Sequence, residues 1–181
     1  VVVLAPSATI TAPASVCGNS PHHAASVAEA GAGAAYVWTI GNGSITSGQG
    51  SRSIAWNASA TGPVTLNVTV TSAGGCIVSD THPITVQARP DATITAPASI
   101  CGNTTGHTAS VPDAGTEAQY MWGITNGTIT AGFGSRSITW NAGPSGPITL
   151  TIAIANAADC LSSTSRQVTV TCVITDTDQD G

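Results

Sequence analysis

The sequence predicts an all-β protein built as two tandem sandwiches, and three features predict it. A long pattern repeats without a gap at an offset of 84 residues. Apolar and hydroxyl side chains alternate with period two, the spacing of a strand with one buried face. Turn residues interrupt these runs at short intervals, while no stretch shows a convincing 3.6-residue helical period.

The duplication comes first, because a missed repeat mis-assigns the whole fold. Ala8-Thr9-Ile10-Thr11-Ala12-Pro13-Ala14-Ser15 recurs as Ala92 to Ser99, and Cys17-Gly18-Asn19 recurs as Cys101-Gly102-Asn103. Tyr36 and Trp38 correspond to Tyr120 and Trp122. Gly50-Ser51-Arg52-Ser53-Ile54 corresponds to Gly134 to Ile138, Trp56-Asn57 to Trp140-Asn141, and Cys76 to Cys160. The expected divisions are residues 6–89 and 90–172, joined through Arg89-Pro90-Asp91. Residues 1–5 align with Thr85 to Arg89, so they read as the end strand of a preceding repeat or a donor strand. Residues 173–181 leave the pattern and begin an acidic, Asp-rich segment. The chain therefore reads as cut from a longer array, with any export signal upstream.

Within a repeat, Val64, Leu66, Val68 and Val70 face one way, and Thr65, Asn67, Thr69 and Thr71 the other. The second copy keeps the inward row as Ile148, Leu150, Ile152 and Ile154, while its outward row includes Ala153 and Ala155. This is the pattern of an antiparallel sheet with one wet face. Tyr36, Trp38 and Ile40 share a strand face. Asn42-Gly43 predicts a tight hairpin leading into Ser44-Ile45-Thr46. Ile54 and Trp56 alternate in another strand, and Ala8–Ala12, Ala24–Ala28 and Pro83–Gln87 supply the rest. About seven strands per unit result, and two packed sheets bury such rows. The expected cores contain Tyr36, Trp38, Trp56 and Leu66, and Tyr120, Trp122, Trp140 and Leu150.

Composition narrows the function classes. Hydrophobic residues make up 41% and charged residues 7%, with a net charge of -5. A usual charged content is about a quarter. Four arginines and no lysine offer no basic cluster to displace counterions from phosphates, which excludes nucleic-acid binding. No apolar run approaches the length of a membrane span. Solubility comes from Ser, Thr, Asn and Gly.

A Pro-x-x-Val/Ile-Cys-Gly start, a Tyr-x-Trp strand, Asn-Gly-x-Ile, Gly-x-Gly-Ser-x-Ser-Ile-x-Trp and a late Cys resemble the PKD-like, immunoglobulin-like repeats of bacterial surface proteins. The resemblance covers residues 8–171, once per repeat, without the Trp-x-Phe-Gly-Asp-Gly signature of the better-known PKD domains. It implies a sandwich used in secreted arrays, adhesins and accessory modules of exported enzymes, at the bacterial cell surface.

Five cysteines suggest an oxidising compartment. Repetition pairs Cys17 with Cys76 and Cys101 with Cys160, leaving Cys172 unpaired within the chain. If the strands follow the immunoglobulin plan, Cys17 and Cys76 lie at opposite ends of one sandwich, and Cys17 could instead meet Cys160 across the junction. Dispersed cysteines without a Cys-x-x-Cys pair argue against zinc.

Other candidates are weak. His22, His23 and His107 lie in corresponding loops, with only Glu29 and Asp113 near, and are expected to face solvent. No Gly-x-Ser-x-Gly elbow occurs, the acids are scattered, and no enzyme is expected. Arg52 and Arg136 are expected to lay their stems on apolar surface, with heads on backbone carbonyls or an acid. Trp56 and Trp140 are weighed as sugar platforms, but their alternation with Ile54 and Ile138 favours the core. The outward Thr rows read as ordinary exposed strand residues. Sequons occur at Asn42, Asn57, Asn67, Asn103 and Asn126. Asp176, Asp178, Asp180 and Gly181 resemble the start of a calcium loop of the thrombospondin-type-3 kind, making the three aspartates candidate calcium ligands, against a charged tail as the alternative. No other cofactor is expected. The favoured role is a non-catalytic structural or adhesive array, a stalk or a fibre subunit, whose partners are neighbouring repeats and, through self-assembly, further copies. The alternative is a module that binds carbohydrate or protein.

Overall fold

The computed structural model describes residues 5–173. It divides into two compact units between Ala88 and Arg89. The first holds seven strands: β1 Ser15–Cys17, β2 His23–Ser26, β3 Ala35–Gly41, β4 Gly43–Ser47, β5 Ser53–Ala58, β6 Val64–Thr71 and β7 Ile77–Gln87. The second repeats them as β8 Ser99–Gly102, β9 His107–Ser110, β10 Gln119–Thr125, β11 Gly127–Ala131, β12 Ser137–Ala142, β13 Ile148–Ala155 and β14 Leu161–Val173. No helix occurs among the described residues.

Each unit is a sandwich of a four-stranded and a three-stranded sheet. In the first unit the orders are β1-β7-β6-β3 and β2-β5-β4; in the second they are β8-β14-β13-β10 and β9-β12-β11. All pairs are antiparallel except β1 with β7 and β8 with β14, which run parallel. The chain thus opens beside its own last strand, a long-range pairing that closes the larger sheet.

The alternation in β6 has the expected cause. Val64, Leu66, Val68 and Val70 are fully buried, and the intervening residues are half-buried on the outer face. Each buried aliphatic of this kind contributes about 1.5–3 kcal/mol relative to exposure. Trp38 and Trp56 fill the first core and Trp122 and Trp140 the second, all at 5% exposure or less. Leu66 and Leu150 are completely buried, Tyr36 lies at the core edge, and Tyr120 packs half-buried against the second core.

Two local expectations need correction. Asn42-Gly43 does not make a hairpin, because β3 pairs with β6 while β4 pairs with β5 in the other sheet. The dipeptide is a corner between sheets. Asn42 adopts φ 57°, and its side-chain N–H donates to the carbonyls of Thr61 and Pro63. A Cβ on Gly43 would meet the Asn57 carbonyl at 2.7 Å, so the crossing needs glycine. The corner recurs at Asn126 and Gly127.

The second correction concerns Ala8–Ala12. This segment is extended with Ala8 and Ile10 buried, but only Thr11 bridges to Ser26. A side chain supplies the missing ladder bond: the Ile10 N–H donates to the Asp80 carboxylate at 3.0 Å. In the second unit Arg166 donates to the Ile94 carbonyl instead. The first regular strand begins later, at Ser15.

Candidate functional site

Faithfully repeated residues gather in each unit at the end of the sandwich where the first strand passes into the second, β1 into β2 and β8 into β9. There Cys17-Gly18-Asn19 turns tightly: a Cβ on Gly18 would sit 2.2 Å from the Ala60 carbonyl oxygen, so only glycine fits. Gly102 faces Pro144 in the same way. The Ser20 hydroxyl donates to the Cys17 carbonyl, and His23 Nε2 lies 2.6 Å from that hydroxyl. The His23 ring tilts over Trp56, with centroids 4.8 Å apart. Thr104, Cys101, His107 and Trp140 reproduce the arrangement, with Nε2 2.7 Å from the Thr104 hydroxyl.

This corrects the expectation of solvent-facing loop histidines for His23 and His107, which open strands β2 and β9 and pack on buried indoles, while His22 is exposed and outside the strands. It also defines their chemistry. Each hydroxyl proton is committed to a backbone carbonyl, so the imidazole must donate to the hydroxyl oxygen. A base that already donates cannot take that proton, so the pair is a structural clip and not an activated nucleophile. Burial lowers the His23 pKa from its ordinary 6.5; the hydrogen bond to the Ser20 backbone opposes this and neighbouring His22 adds to it. The clip was missed from sequence, although the spacing Cys-Gly-Asn-Ser/Thr-x-x-His is visible in both copies.

The cysteines depart from the expected pairing. Cys101 is bonded to Cys172, with Cα atoms 4.5 Å apart, and Cys76 is a free thiol. The Cys17–Cys76 and Cys101–Cys160 pairs are therefore wrong, as is an unpaired Cys172. The reason is the parallel pairing of first and last strands. Cys17 stands opposite Gln87 at the far end of β7, whereas Cys76 immediately precedes its near end. Eleven residues of strand place them roughly 35 Å apart, against the ~7 Å between Cα atoms that a disulfide allows. Cys160 is similarly remote from Cys101, whose register neighbour is Cys172. Ala88 occupies the first unit's equivalent of Cys172. Cys17 and Cys160 are themselves disulfide-bonded.

Internal fastenings repeat with the same fidelity. Trp38 donates its indole N–H to the Ser51 carbonyl at 2.9 Å, and Trp122 does so to Ser135. The Tyr36 and Tyr120 hydroxyls accept from the amides of Ala30 and Ala114. The side chain of the sequon residue Asn57 and that of its counterpart Asn141 accept from the amides of His22 and Gly106. Arg136 faces Asp113 at 3.8 Å in an exposed ion pair, which is worth little.

The outer faces of the two units differ. In the first, the hydroxyl rows bond across β6 and β7: Thr69 with Ser79 at 2.9 Å and Thr81 with Asn67 at 2.7 Å. In the second, Met121, Phe133 and Leu161 are exposed, at 74%, 59% and 61%; the first unit exposes Val37 and Ile77 at the positions of Met121 and Leu161, so Phe133 is the apolar side chain that sets the second face apart. With Ala153 and Ala155 they line a shallow hollow of about 450 Å³. Gln49, which bonds the Trp38 carbonyl in the first unit, is replaced by Phe133. No group of three or more His, Cys, Asp or Glu side chains is placed to hold a metal among the described residues. The calcium candidates Asp176, Asp178 and Asp180, and the donor strand Val1–Leu4, lie outside the described residues. No helix is long and apolar enough to cross a membrane.

The fold and its repeated clips define a tandem β-sandwich module protein whose recurring residues serve the fold itself. The sequence matches the PKD-like domain over residues 3–86 and again over 87–170, and the chain belongs to that family. No curated protein matches it. Among solved structures it is similar to the fibronectin(III)-like modules of Clostridium thermocellum CbhA, at 14% identity over 91% of this chain and 95% of that one, with a TM-score of 0.38. It is also similar to the Yersinia pseudotuberculosis adhesin InvE, at 14% over 89% and 59%, TM-score 0.35. A third is Bacteroides ovatus SGBP-B of a mixed-linkage glucan utilization locus, at 13% over 92% and 45%, TM-score 0.35. The chain spans about half the length of the last two. At these scores the likenesses are distant, and the assignment rests on the family match.

Proposed function

We propose that this chain is a non-catalytic structural or adhesive part of an extracellular array, with each PKD-like module a preformed rigid unit. The observation that supports this reading best is which residues the two modules share. The shared polar residues (the Trp38 and Trp122 indoles, the Tyr36 and Tyr120 hydroxyls, the Asn42 and Asn126 corners, the Ser/Thr–His clips) are spent on the module's own backbone and side chains. A catalytic site would instead aim polar groups into a cleft at a substrate. Secretion to a bacterial surface and assembly with further repeats or copies belong to the same proposal, as does calcium held by Asp176, Asp178 and Asp180.

Single-molecule pulling in reductant tests the mechanical role. Two unfolding events of like contour length, each at a force well above that of a flexible linker, are expected. A gradual extension without discrete events would overturn the reading.

A second reading, recognition of a glycan or protein by the second module, is favoured by the exposed Met121, Phe133 and Leu161. If it holds, Phe133→Gln weakens retention on an immobilised polysaccharide panel and the equivalent Gln49→Ala does not.

A further inference from the structure

We propose that Cys76 is the attachment point of a covalent module-to-module link: its thiol forms a disulfide with the first-strand cysteine of another module of this type. The inference rests on the array reading above. Three observations carry it.

First, the two cysteines that every module shares stand at opposite ends. The first-strand cysteine (Cys17, Cys101) lies beside the C-terminal end of the last strand, and the other (Cys76, Cys160) precedes that strand's beginning. At about 3.3 Å per residue this separation forbids a bond within one module. The two classes can meet only head to tail, a heterologous contact that propagates instead of closing on itself.

Second, the same residue of the companion module is bonded. Cys160 corresponds to Cys76, is completely buried, and is engaged in a disulfide. Both sit on the same turn. The Ser72 amide donates to the Cys76 carbonyl and the Cys76 amide to the Ser72 hydroxyl; Asn156 and Cys160 repeat the pattern. The two turns share this backbone frame; Cys160 is buried and bonded on it, whereas Cys76 is half-buried and its thiol is free.

Third, the within-module bond is confined to the second module. Cys172 caps Cys101, whereas Ala88 leaves the first module without that cap. Cys17 is nonetheless disulfide-bonded, so a first-strand cysteine of this type does bond outside its own strand pair; with Cys17 and Cys101 both engaged, the complement that Cys76 requires is the first-strand cysteine of a further module.

The chemistry is thiol–disulfide exchange. The Cys76 thiolate attacks a small-molecule disulfide or the disulfide of an oxidoreductase, forming a mixed disulfide and expelling one thiolate. The second cysteine's thiolate attacks the Cys76 sulfur and expels the other. One module-to-module S–S bond forms, one oxidant S–S bond is consumed, and two protons and two electrons pass to the oxidant as a pair of thiols.

Cys172→Ser tests this by freeing Cys101. In oxidised glutathione, the variant should lose its monomer band to a ladder on non-reducing electrophoresis, with peptide mapping joining Cys76 to Cys101. The double variant Cys76→Ser/Cys172→Ser should give no ladder. No ladder from the single variant, or Cys76–Cys76 links only, would overturn the proposal. A second arm keeps the test decisive if the variant folds poorly. The native protein is extracted, alkylated before reduction and mapped. Cys76 joined to a first-strand cysteine supports the proposal, while alkylated Cys76 overturns it. Mass without reductant then separates a link in one polypeptide from a link between chains. Rods that persist in reductant with Cys76 alkylated would sink the link and leave the array; linked but unarrayed material would do the reverse.

Discussion

Cys101 and Cys172 join the first and last strands of the second module, with their Cα atoms 4.5 Å apart across a parallel pair. The bond spans 71 residues, nearly the whole module. In the chain-entropy account, a closure of that length stabilises by about 4 kcal/mol. The first module has Ala88 in place of that second cysteine and lacks this bond. Replacing Cys172 with serine should therefore lower the melting temperature of the second module by roughly 15–30 °C, leaving the first module's transition in place. Calorimetry of the two chains decides it; equal transitions in both would show that the bond adds nothing.

The indoles of one core do unequal work. Trp38 donates to the Ser51 carbonyl, whereas the Trp56 N–H is buried without a partner. Both lose similar volume on replacement by phenylalanine, so the cavity cost is shared. Trp38→Phe also orphans a partly buried carbonyl contact, adding about 1 kcal/mol. Urea midpoints should rank Trp38→Phe below Trp56→Phe, and Trp122→Phe below Trp140→Phe. The reverse order in both modules would refute the assignment.

These pairs show what the sequence disclosed. The inward rows of β6 and β13 and the burial of the tryptophans follow from period-two alternation, a local signal. The disulfide did not follow, since it depends on β1 lying parallel to β7, a contact between segments some seventy residues apart. Asn42-Gly43 marked correctly a backbone that needs a left-handed residue. Whether the next strand pairs with the last or crosses to the other sheet is decided by packing, which two residues do not encode. The Ser20–His23 clip was legible as spacing but has no meaning until Trp56 is placed beneath the ring.

That ring makes stability depend on pH. Burial holds His23 below its ordinary pKa of 6.5 in the folded module, while the unfolded chain titrates near that value. Between the two values the unfolded state binds more protons, so stability rises with pH there. The contribution is complete above 6.5 and is lost as pH falls through the folded value. Urea midpoints of the first module should therefore fall as the solution is acidified from 6.5 through this range. His23→Gln should flatten that part of the profile, and an unchanged slope in the variant would rule the ring out.

The corner between sheets sets the strictest backbone demand. A Cβ on Gly43 would lie 2.7 Å from both the Asn57 carbonyl and Ile40 Cδ1, and Gly127 meets Asn141 and Ile124 at the same distances. One neighbour is backbone and the other a buried-side aliphatic, so neither yields cheaply. Gly134 has nothing within 4 Å of such a Cβ and no left-handed conformation. Alanine at 43 or 127 should destabilise its module by about 2 kcal/mol or more, through overpacking. Alanine at 134 should be neutral or stabilise by about 0.4–1 kcal/mol, through lost freedom in the unfolded chain. Because Gly134 and Gly127 lie in the same module, a single denaturation series compares them under one baseline. Equal losses at the two positions would mean that the crowding at the corner relaxes freely and that the Asn-Gly pair is kept for some reason other than the crossing.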